Sequence, residues 1–139
     1  MLTYLKGAGC SLLVATILYL TTVVEFETPP GVITSYDVGI LFIALFNYLG
    51  CALGFLVHAA LTRIRIKSIP GSAVIFILLG LAFSMTLDYI FELNYKFYFI
   101  TIAGSLVYYL AQLITNRHIS IVLSFLGPLT ALSFFLYFA

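Results

Sequence analysis

Asp88, Glu92 and Lys96 are set four residues apart in the stretch FSMTLDYIFELNYKFYF (83–99), which is otherwise apolar and aromatic. Residues at that spacing share one face of a helix. Ionisable groups inside a membrane mark proton relays and ion paths. A second group with chemical potential is His58 and Gln112, which with Ser11 and Ser120 would form a small polar cluster near one membrane face. Asn47 interrupts another apolar run and is positioned to meet Asp88 across a helix interface. Asn47, His58, Asp88 and Gln112 are therefore the positions expected to face a polar path or a ligand.

No assembled catalytic set accompanies them. Neither histidine sits in an H-E-x-x-H zinc motif, and no phosphate-binding or dinucleotide-binding glycine pattern occurs. Cys10 and Cys51 have no metal-ligand spacing and form no C-x-x-C pair. The expectation is a protein without enzymatic activity, cofactor or metal. Six Lys and Arg against five Asp and Glu leave a net charge of +1, which gives no basic face for nucleic acid.

These residues must be positioned by elements that suit lipid. The chain of 139 residues is 63% hydrophobic and 8% charged, with a mean hydropathy of +1.19. A soluble domain carries about 25% charged residues, so the composition indicates an integral membrane protein. Five apolar segments follow one another, at about 7–24, 38–61, 70–90, 97–114 and 119–138. Each approaches the ~20 residues that cross ~30 Å of hydrocarbon as a helix. Strands are excluded because no ~10-residue alternating pattern is present. The fold expected is all-α: one compact bundle of five transmembrane helices forming a single membrane domain.

The breaks have local causes. EFETPPGVITSYD holds charges and a Pro-Pro-Gly turn. In TRIRIKSIPG, Ser68 is placed to cap the third helix, with Pro70 in its first turn. NRH (116–118) is the weakest break, and a tight hairpin is expected there.

Charge sets the orientation. Lys6, Arg63, Arg65, Lys67 and Arg117 all fall on one side if the chain crosses five times, while Glu25, Glu27, Asp37, Asp88 and Glu92 fall on the other. Lys96 departs from the pattern. Lys and Arg are retained in the cytoplasm, so the N-terminus is expected inside and the C-terminus outside. Asp88 then lies at the outer interface, among Tyr89, Tyr95, Phe97 and Tyr98, as an anchor rather than an ion site. Glu92 and Lys96 are in the favourable order for a helical i,i+4 pair.

Each segment also carries a stripe of small or polar residues: Gly7, Ser11, Ala15; Asn47, Cys51, Gly54, His58; Gly80, Ser84, Asp88; Thr101, Ser105, Tyr108, Gln112; Ser120, Ser124, Gly127, Ala131. Small residues let helices approach closely in lipid, and no charge occupies the middle of a segment. The stripes therefore read as packing seams before they read as a pathway.

In overall look the chain is similar to short multi-pass bacterial membrane proteins with minimal loops, which implies a cell-membrane location. The function expected is binding of another membrane component, as an accessory or immunity-type protein. Its partners would be the bilayer and another membrane protein or a cationic peptide drawn to the acidic outer face. The alternative is a small oligomeric transporter or channel.

Overall fold

A computed structural model of the chain describes residues 2–22, 36–64, 68–92 and 95–138, without the side chains of residues 36, 37 and 138. Glu25, Glu27, Arg65 and Lys67 lie outside the described residues, as does the side chain of Asp37. The described residues form five helices and no strand: α1 (Leu2–Thr22), α2 (Tyr36–Arg63), α3 (Ile69–Phe91), α4 (Lys96–Gln112) and α5 (Arg117–Phe138). All but α4 are long and apolar enough to cross a membrane.

The helix ends follow from the residues that cap them. The Ser68 hydroxyl oxygen accepts from Gly71 N–H at 3.4 Å, and proline occupies the first turn of α3. At the start of α5, Asn116 Oδ1 accepts from His118 N–H at 2.9 Å and Ile119 N–H at 3.3 Å. The end of α3 differs from expectation. Glu92 adopts a left-handed backbone, φ 50° and ψ 54°, with its N–H donating to the Asp88 carbonyl at 2.8 Å. The helix stops there and Lys96 begins α4. Asp88, Glu92 and Lys96 therefore do not share one helix face, and the expected i,i+4 pair is not a feature of a continuous helix.

Contacts between helices fix their directions. Lys6 of α1 meets the carbonyls of Gln112 and Ile114 at the end of α4. Tyr19, near the other end of α1, packs on Gly39 of α2 and Phe97 of α4. Tyr109 donates to the Ile69 carbonyl at 3.3 Å, and Tyr98 donates to Asp88 Oδ2 at 2.7 Å, so α3 and α4 form an antiparallel hairpin. Gly9 packs against Leu123, Ser124 and Gly127, which sets α1 beside α5. Neighbours in sequence thus alternate in direction. One end of the bundle gathers Arg63, Ser68 and Arg117, and the other gathers Asp88, Glu92 and Tyr95.

The bundle is organised around α1, which packs on α2, α4 and α5, with α3 behind α4. Buried residues surround most of α1, including Gly7, Ser11, Leu12, Ala15, Thr16 and Tyr19. One apolar cluster joins Leu12, Tyr19, Ile40, Ile43, Ile100 and Ala131 from four helices. A second joins Ala8, Cys51, Phe76, Tyr108 and Tyr109. Lys6 lies inside α1 and is 6% exposed, because its ammonium is used on the carbonyls of Gln112 and Ile114.

Candidate functional site

An opening in the bundle lies between α2 and α3. These helices meet through an aromatic cluster at one end. The Phe42 and Phe46 rings are 4.2 Å apart, and Phe91 of α3 stands 5.3 Å from Phe42 and 5.5 Å from Phe46, edge to face. Such rings attract beyond their buried area. They hold α2 off α3 by the width of their side chains. Deeper in, α2 offers Gly50, and a Cβ there would stand 3.3 Å from the Phe83 ring of α3. The result is a groove walled by α2 and α3 and floored by α4 and α1. It encloses about 680 Å³ counting its open mouth. Phe42, Phe46, Leu79 and Phe83 form its walls, and Ser11, Ala15, Gly104 and Ser105 reach its floor. Among the described residues, no Asp, Glu, Lys, Arg or His lines it.

Ser11, Asn47, Thr101 and Ser105 on that floor are already engaged, whereas Tyr108, which also lines the groove, has a hydroxyl with no partner. Ser11 donates to Asn47 Oδ1 at 2.7 Å, and Asn47 Nδ2 donates to the Ala8 carbonyl at 3.2 Å. Ser105 donates to the Phe76 carbonyl at 2.6 Å. The hydroxyls of Ser84 and Thr101 bond to each other across the α3–α4 seam, and Thr101 also reaches the Phe97 carbonyl at 3.0 Å. Interhelical bonds of this kind contribute about 0.6–2 kcal/mol each in a membrane. At the same seam a Cβ on Gly80 would come within 3.0 Å of Ile102 Cα and the Thr101 carbonyl oxygen. The floor is thus made of close backbone approaches and, Tyr108 apart, satisfied donors.

Three oxygens stand apart. Thr16 Oγ1, Tyr108 Oη and Gln112 Oε1 are buried without a hydrogen-bond partner. Tyr108 is 2% exposed. Its ring is slotted between two glycines: a Cβ on Gly7 would lie 2.7 Å from Cδ2, and one on Gly54 3.1 Å from Cε1.

The four positions singled out from the sequence go to different places. Asn47 lines the groove, but its partners are Ser11 and Ala8 of α1. Asp88 is bonded to Tyr98 of α4 at the bundle end. The expected Asn47–Asp88 pairing is therefore corrected: α1 takes the asparagine and α4 takes the aspartate. Gln112 donates from Nε2 to its own helix, at the Tyr108 carbonyl, 3.3 Å away. His58 is half-buried on α2 and is not part of the groove lining. The expected cluster of Ser11, His58, Gln112 and Ser120 is not assembled by hydrogen bonds. Ser11 turns to Asn47, and Ser120 donates to the Asn116 carbonyl at 2.8 Å. Both cysteines are free, Cys51 buried and Cys10 half-buried. Among the described residues no group of three His, Cys, Asp or Glu is placed to hold a metal ion.

The groove itself was not foreseen. Its sequence signal is Gly50 beside aromatic residues at 42, 46 and 83, a missing side chain bordered by large ones. Compared with protein-family models, with curated proteins and with solved structures, the chain matches none.

Proposed function

We propose that this chain is a five-span protein of a bacterial cell membrane, with its N-terminus in the cytoplasm and its C-terminus outside. It carries out no catalysis and works by binding another membrane component in the groove between α2 and α3, as an accessory or immunity-type protein. The observation that carries this reading is the groove: an apolar cleft in the side of the bundle, with no charged residue among the described lining and with the hydroxyls of Ser11, Thr101 and Ser105 engaged. Five crossings are supported by the alternating directions of the helices. The 17 residues of α4 extend about 25 Å, and Tyr95 and Leu113 flank it at the two ends. The orientation is supported by Lys6, Arg63 and Arg117 at one end, since basic residues are retained in the cytoplasm.

The test is photocrosslinking in intact cells. A photoreactive side chain replaces Leu53, which lines the groove, or Leu126, which is exposed on α5. A discrete adduct at 53 that is absent at 126 is the expected result. Equal labelling at both, or none at either, would remove the binding reading.

A second reading, the small oligomeric transporter, is favoured by the three unpartnered buried oxygens. It requires water in the bundle. In a Cys10→Ser, Cys51→Ser background, Asn47→Cys and Gln112→Cys are expected to resist a water-soluble maleimide, because both positions are packed. Labelling of either in sealed membranes would favour transport.

A further inference from the structure

We draw no further inference here: the strongest candidate, the apolar groove between α2 and α3, has a lining that suits the side chains of a partner helix as well as lipid, and nothing in the structure shows what covers it.

Discussion

Gly127→Ala is expected to separate α5 from α1 and to lower the unfolding free energy in detergent by up to about 2 kcal/mol. A Cβ at Gly127 would overlap the Gly9 carbonyl oxygen and stand 2.9 Å from the Gly9 carbonyl carbon. The reciprocal substitution meets backbone too, with Ser124 Cα 2.9 Å away and the Leu123 carbonyl oxygen nearer still. No rotamer change can relieve a clash between two main chains, so one helix must move. Overpacking of this kind costs about 1–3 kcal/mol and sometimes more. The helix propensity gained from Gly to Ala, about 1 kcal/mol, offsets part of it. Gly50→Ala is the control. There the nearest atom is the edge of the Phe83 ring at 3.3 Å, a side chain that can swing. Its change should be within about 1 kcal/mol and can be stabilising, because the propensity gain meets little resistance. A reversible denaturation series in mixed micelles reads both. Equal effects at the two glycines would mean that α1 and α5 do not approach as closely as described.

Lys6→Met should cost about 2 kcal/mol and should loosen one turn more than the rest. The ammonium donates to the carbonyls of Ile114 at 2.5 Å and Gln112 at 3.4 Å. The last carbonyls of a helix have no partner within it, and a positive charge suits that end of the helix dipole. Methionine keeps much of the stem and removes the charge. Each carbonyl left buried and unpaired costs about 1–3 kcal/mol. Relief from desolvating the lysine offsets part of the total. The remaining loss is concentrated at residues 113–116, between α4 and α5. Two readouts check it: the denaturation midpoint, and the rate of trypsin cleavage after Arg117 in detergent. A lower midpoint with faster cleavage at Arg117 is expected. An unchanged cleavage rate would mean that the turn is held by Asn116 and its cap bonds without help from α1.

Much of the helical layout was legible in the sequence because its causes are local. Ser68 and Pro70 start α3 where capping chemistry puts them. Gly80, Ser84, Thr101 and Ser105, picked out by helical spacing, do meet across the α3–α4 seam. Helix pairing was less legible. Asn47 was matched to Asp88, yet Asn47 bonds to Ser11 of α1 and Asp88 to Tyr98 of α4. Spacing along one helix says which residues share a face and is silent on which helix that face meets. The central place of α1 did leave a trace. It has the lowest mean hydropathy of the four helices suited to crossing a membrane and is the most buried of them. Glu92 misled because a non-glycine residue in the left-handed region has no strong sequence signature. The groove was hidden for a different reason. It lies beside the place where α2 and α3 meet through Phe42, Phe46 and Phe91, and those rings come from both chain segments.

The burial of α1 has a consequence for biogenesis. Among the described helices, α1 is made before α4 and α5, which supply much of its surroundings. Until residue 138 has been made, Lys6, Ser11 and Thr16 have only part of the cover they have in the finished bundle. The nascent protein therefore passes through a period in which its least lipid-compatible helix is held in the membrane by hydrophobicity it barely has. Polar groups exposed to lipid in that way carry a free-energy penalty. Full cover of α1 therefore waits on the docking of α4 and α5.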